Sequence, residues 1–248
     1  MIVLLPPSET KRAGGDGPPL DLPSLSFAEL GPIRAELVDE LANLAADPPS
    51  CRKALGISAA QDAEIARNAA LRSAATLPAL HRYTGVLYDA LDVESLRGAE
   101  AARADARLAV GSALFGLLRA VDRIPAYRLS AASKIPGRPS LPARWRPALE
   151  PVLADLARRE LVVDLRSGAY VGLGRLDEAV RVDVVAEQPD GGRTVVSHFN
   201  KAHKGRLARV LAAGRSEPDD AAGVARVARR AGMRVERAGN RLTIVVTA

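Results

Sequence analysis

The chain opens on Ile2-Val-Leu-Leu5 and is stopped at once by Pro6-Pro7. Four apolar residues hard against the N-terminus are too few for a helix, so the run predicts a buried strand. Leu161-Val-Val-Asp-Leu165 and Leu242-Thr-Ile-Val-Val246 predict further strands. Between them run helical patterns: Leu30, Ile33, Leu37, Leu41 and Leu44 keep three-to-four spacing, as do Trp145, Leu149, Leu153 and Leu156. Strands interleaved with helices give an α/β chain, an α+β mixed sheet with flanking helices. Without an internal repeat or a flexible linker, residues 1–248 are expected to form a single domain.

The punctuation between these runs predicts smaller elements. Asp47-Pro-Pro ends the first helix, and Leu55-Gly-Ile57 with Ser58 predicts a turn and N-cap into a second helix through about Thr76. That pattern faintly resembles a helix-hairpin-helix unit, which holds DNA backbone through turn amides. Arg107 to Arg119 predicts strand then helix. Arg181–Val185 and Thr194–Ser197 predict a hairpin turned at Pro189–Gly192, and Ala238-Gly-Asn240 turns a last hairpin into the closing strand.

Charge is placed unevenly. The formal net charge is +6, and the span from Ser197 to Arg241 holds eleven Lys and Arg against four Asp and Glu, leaving the rest near neutral. Within it, Lys201, Lys204, Arg206 and Arg209 fall inside nine residues behind a strand end, with His203 among them. A basic helix start offers cations and free backbone N–H groups together, which suits a phosphate or other anion. Aromatics make up only 3% of the chain, so base stacking cannot be the main mode of any nucleic-acid binding.

Composition also excludes. One cysteine, Cys51, allows neither a disulfide framework nor a thiolate metal cage, and reads as a small buried side chain. His81, His198 and His203 show no metal-ligand spacing, so no metal and no cofactor is expected. The N-terminus lacks a basic n-region, and no apolar run approaches the length of a membrane span; a cytoplasmic, non-membrane protein is expected.

Four stretches carry a family resemblance: Pro6-Pro-Ser-Glu-Thr-Lys11 after the first strand; Tyr83-Thr-Gly85; Phe115-Gly-Leu-Leu-Arg119 through Pro125-Ala-Tyr-Arg-Leu129; and Asp164-Leu-Arg-Ser167 with Tyr170, joined to Lys201-Ala-His-Lys-Gly-Arg206. Their order resembles the YaaA family of peroxide-stress proteins. The chain departs from that pattern at Ala169, where the family usually has a glutamate, and at Asp164, where it has an asparagine. The resemblance implies a single α/β fold with a positively charged cleft and a helix-hairpin-helix-like element. It also implies binding of double-stranded DNA and a role in limiting oxidative damage linked to intracellular iron.

In an α/β fold, loops at strand and helix ends converge on one edge of the sheet. Such convergence would place Ser8, Lys11, Tyr127, Arg128 and Lys134 beside Ser167, Lys201, Lys204, Arg206 and Arg209. Arg128 offers a bidentate fork for phosphate, the lysines offer point charges, and Ser167 a hydroxyl. Tyr83 and Tyr127 fit core packing and cleft lining equally. Two readings stay open: a DNA-binding protein that grips the backbone without reading sequence, and an enzyme acting on a nucleotide, nucleoside or other small anion. For the enzyme, Ser8 with Lys11 or Ser130 with Lys134 are the catalytic candidates, provided the lysine is desolvated. A third reading, a scaffold whose basic helices bind an acidic protein, also remains.

Overall fold

The computed structural model describes residues 1–189, 192–195 and 197–247, and of residues 195 and 197–199 it describes the backbone alone. The predicted turn therefore falls, at Asp190 and Gly191, outside the described residues, as does the His198 side chain. The strands are β1 (Ile2–Leu5), β2 (Leu77–Pro78), β3 (Leu108–Ser112), β4 (Gly116–Arg119), β5 (Arg123–Ile124), β6 (Val162–Asp164), β7 (Val180–Glu187), β8 (Arg193–Val195), β9 (Val235–Ala238) and β10 (Arg241–Thr247). The helices are α1 (Gly31–Leu44), α2 (Pro48–Leu55), α3 (Ala63–Ala69), α4 (Ala79–Arg82), α5 (Val86–Leu91), α6 (Gly98–Arg107), α7 (Leu141–Arg159), α8 (Gly168–Val171), α9 (Ser197–Ala213) and α10 (Ala221–Arg230).

The main sheet runs β4-β3-β1-β6-β7-β10-β9, with β8 also paired to β7. β3, β1, β6, β7 and β10 run parallel to one another, while β4, β8 and β9 join antiparallel to β3, β7 and β10 respectively. The fold is thus mixed α/β, with a mostly parallel central sheet flanked by helices. β1, β3 and β6 are buried along their whole length, as expected of parallel strands covered on both faces. β7 instead alternates buried and half-buried residues, the pattern of a strand with one wetter face. From β1 the chain goes to β3 on one side and later to β6 on the other. That reversal of direction makes the carboxyl ends of the three strands a topological switch point.

Three predicted elements differ. Pro48-Pro49 does more than end a helix: it also starts α2, because Asp47 accepts the Ser50 amide as N-cap and proline suits the first helical turn. The helix predicted to reach Thr76 ends at Ala69. Asn68 turns its amide onto the Arg128 backbone, bonding its N–H at 2.8 Å and its carbonyl at 2.9 Å, and Thr76 bridges to Gly17. Finally, Leu108–Arg119 is a β3–β4 hairpin and not strand then helix. The Ser112 hydroxyl captures the amides of Leu114 and Phe115, as a serine does in a turn. Gly116 then takes φ +73°, where a Cβ would sit 2.6 Å from the Trp145 ring. Trp145 seals the turn by donating its indole N–H to Ala113 O at 2.9 Å.

Candidate functional site

The loop leaving β1 curls back so that Lys11 pairs with Tyr83 through an isolated antiparallel bridge. The Lys11 side chain is only 9% exposed, as part of the buried polar set. Its Nζ donates to Ser8 O at 2.9 Å and to Glu9 O at 3.4 Å. It also lies 4.1 Å from the centre of the Tyr127 ring and 5.4 Å from that of Tyr83. Burial disfavours the ammonium, and the Arg128 charge adds to that; Glu64 and Glu9 oppose it, and the amine is lowered to about 7.

Two of the chain's four tyrosines lie against this amine, and further aromatic rings pack on those two. Tyr83 and Tyr88 stack at 5.6 Å, Tyr127 stands edge-on to Tyr83 at 6.5 Å, and Phe115 closes the far side of Tyr127 at 5.4 Å. Tyr88 donates to Pro6 O at 2.9 Å, tying α5 to the end of β1. The Tyr83 and Tyr127 hydroxyls are 2.8 Å apart, and Tyr127 is 2.7 Å from Ser112 Oγ. Burial raises the phenols of Tyr83, Tyr88 and Tyr127 and pushes Tyr170 up to about 12, so all four stay protonated near neutrality.

Arg128 completes the group. Asn68 fixes its backbone, and its Nη2 donates to Glu9 Oε2 at 2.8 Å. Its Nε is buried without an acceptor among the described residues. Glu9 is 66% exposed on its side chain against 13% for Arg128, so an exposed carboxylate caps a half-satisfied guanidinium. An external carboxylate or phosphate can take the same place.

The other predicted residues are placed as follows. Ser8 turns its carbonyl, not its hydroxyl, to Lys11; the hydroxyl lies 3.1 Å from Thr10 Oγ1. Ser130 Oγ lies 3.1 Å from Ser133 Oγ, whereas Lys134 is exposed and its backbone N–H donates to Ala54 O. Neither expected serine–lysine contact is made through the hydroxyl. Ser167 is exposed at the start of α8, its carbonyl accepting the Tyr170 and Val171 amides, and Ala169 is exposed on the same short helix.

On α9, Lys201 and Arg206 are exposed. Lys204 turns inward to donate to Leu165 O at 3.1 Å, at the end of β6; burial lowers its amine, with Asp183 and Asp164 opposing. Arg209 ties α9 to the end of α5 through the carbonyls of Leu91 and Asp92 and the Ser95 hydroxyl. Gly205 permits the crossing of these helices: a Cβ there would meet Leu87 O at 2.2 Å. Beside Lys204, Asp164 holds Arg166 bidentately at 2.8 and 2.9 Å, both side chains about 1% exposed. That pair occupies the position where the sequence departs from the family asparagine.

The turn Leu55-Gly-Ile57 is present, with Gly56 at φ +65°. Its Gly56 and Ile57 amides both donate to Arg52 O, and the Ser58 amide to Gln61 Oε1, so the amides of this turn are spent on capping.

The assembled group can hold an anion on Arg128, accept a proton on Lys11, and offer phenolic hydroxyls beside it. Among the described residues no group of His, Cys, Asp and Glu is placed to hold a metal ion. No helix of the described residues is long and apolar enough to cross a membrane. Glu9, Asn68, Tyr88, Ser112 and Tyr170 were not among the predicted site residues. The scarcity of aromatics was the available signal for the tyrosines, since four in 248 residues have little reason to meet by packing alone. Ser112 carried no local signal, because its role depends on the turn it caps.

A family model described as peroxide stress protein YaaA matches residues 1–233. A UPF0246 protein of Corynebacterium efficiens is 51% identical over 240 residues, covering 95% of each chain. One from Corynebacterium glutamicum is 46% identical over 99% of this chain and all of its own, and one from Streptomyces coelicolor 44% over 95% and 92%. On that match and those identities the chain belongs to the peroxide stress protein YaaA family.

Proposed function

We propose that the protein is an enzyme acting on a small anionic substrate at the carboxyl ends of β1, β3 and β6. Arg128 receives the anionic group in exchange for Glu9, and Lys11 takes a proton from the substrate. The observation that carries this reading is the buried Lys11 amine, lowered to about 7, at the side of a guanidinium with an unspent N–H. A general base is most effective when its pKa lies near the working pH. In a peroxide-stress family such a site would act on a metabolite rather than shield DNA.

A grip on double-stranded DNA, with the iron-linked protection that the resemblance implies, draws on fewer groups. Lys204 and Arg209 donate to carbonyls, Arg128 holds Glu9, and the helix-hairpin-helix-like turn has spent its amides. Lys134, Lys201 and Arg206 remain exposed for that role.

Calorimetry with inorganic phosphate, nucleoside monophosphates and a short DNA duplex separates the two. The enzyme reading expects anion binding that Arg128→Ala weakens at least tenfold, with a buffer-dependent heat near pH 7 as Lys11 exchanges a proton. It fails if only the duplex binds, with a log K against log salt slope of roughly −0.9 per phosphate contact that drops when Lys201 and Arg206 become alanine.

A further inference from the structure

We propose that Ser112, Tyr127 and Tyr83 form a one-way chain of hydroxyls whose last proton, on Tyr83, is donated to an oxygen of the bound ligand. This rests on the small-anion reading above and extends it to a second contact. The direction follows from counting lone pairs. Ser112 Oγ accepts the Leu114 amide at 3.2 Å and the Phe115 amide at 3.0 Å. A hydroxyl has two lone pairs and one proton, so with both pairs filled its remaining bond must be a donation. Among the described residues the side-chain oxygen within hydrogen-bond distance of it is Tyr127 Oη, 2.7 Å away. Tyr127, having accepted, donates in turn to Tyr83 Oη at 2.8 Å.

Tyr83 is then the end of the chain: besides Tyr127 its hydroxyl interacts with Ser112, whose two lone pairs are already filled, so its own hydrogen is left without a free acceptor among the described residues. The three groups are 0%, 1% and 3% exposed, so water does not freely supply one. A buried hydroxyl with an unspent proton carries a cost that a ligand oxygen relieves. Successive donation polarises each hydroxyl in the series, making the last the strongest donor.

Its placement suits charge developing on a ligand. The Tyr83 and Tyr127 rings both lie against Lys11 Nζ; Tyr83 is held by stacking on Tyr88, and Tyr127 by an edge-to-face contact with Phe115. A ligand whose proton passes to Lys11 gains negative charge beside a donor already oriented toward it, which is where fixed donors lower a barrier most. The ligand class is therefore an anion with a second oxygen acceptor: one anionic group for Arg128 and a carbonyl or phosphoryl oxygen for Tyr83. Ser112 and Tyr127 act through Tyr83 and are positioning residues.

Four tyrosines make the test simple, since protein labelled with 13C at tyrosine Cζ gives four resonances. Titration with inorganic phosphate at pH 7 is expected to shift the Tyr83 resonance more than the others. Tyr83→Phe should weaken phosphate binding roughly five- to thirty-fold. Ser112→Ala should weaken it less, about two- to five-fold, and Ser112→Thr should restore it. Phosphate binding that depends on Arg128 but leaves the Tyr83 resonance still, with no loss in Tyr83→Phe, overturns the hydroxyl chain and leaves the anion site standing. Phosphate binding indifferent to Arg128→Ala, or absent altogether, overturns both. The wild-type titration decides the matter even if Tyr83→Phe does not fold.

Discussion

The loop after β1 carries one lysine, while nine residues of α9 carry two lysines and two arginines; the single lysine is the more perturbed. Lys11 is buried under aromatic rings with a guanidinium on one side, and its amine is lowered to about 7. On α9, Lys204 and Arg209 reach carbonyls that bind the helix to β6 and α5, and Gly205 lets the helices touch. Lys201 and Arg206 stay in solvent. Charge density along a sequence thus marks where a chain is basic. Desolvation, which needs the fold around it, marks where a basic group becomes reactive.

The largest expected contrast is in titration. A signal from the Lys11 ε-carbon should titrate near pH 7, far below the ordinary lysine value, with roughly a thousand-fold more neutral amine at pH 7 than an ordinary lysine has. Stability follows with a definite sign. Between about 7 and the ordinary 10.5, the unfolded chain holds the Lys11 proton and the fold does not. Stability therefore rises with pH across that window, by on the order of 4 kcal/mol. Urea melts of Lys11→Met should lose that rise; an unchanged pH profile would break the comparison.

A smaller effect tests the other region. Gly205→Ala places a Cβ against Leu87 O and should cost about 2–3 kcal/mol through forced separation of α9 from α5. A denaturation midpoint equal to wild type would mean that the helices do not pack this closely in solution. The smallest effect belongs to the exposed cations. Lys201→Ala and Arg206→Ala should each change stability by less than ~0.5 kcal/mol and leave phosphate affinity within about two-fold. A large loss of phosphate affinity in either would move the anion site onto α9.

Much of the fold was legible because periodicity is a local property. The Ile2–Leu5 run lies at the centre of the sheet, Trp145, Leu149, Leu153 and Leu156 share the buried face of α7, and β9–β10 turns where Gly239 allows it. The misses also have local causes read the wrong way. Pro48-Pro49 signals a stop and a start alike, and Leu108–Arg119 is apolar enough for a helix until Ser112 captures two amides. In the site, Lys11, Tyr127 and Arg128 were legible from their stretches. Glu9, Asn68, Tyr88 and Ser112 were not, since each acts on a residue at least fifteen positions away.

By itself the sequence determined the α/β class, the burial of β1, the helix periods and the bias of cations toward the C-terminal third, because each depends on neighbours along the chain. Only the tertiary structure decided which cations face water and which donate to carbonyls, and that Lys11 meets Tyr83 and Tyr127 with Arg128 at its side. A lysine's pKa depends on what surrounds it in space, and the groups surrounding this one come from residues 8–9, 64–67, 83 and 127–128.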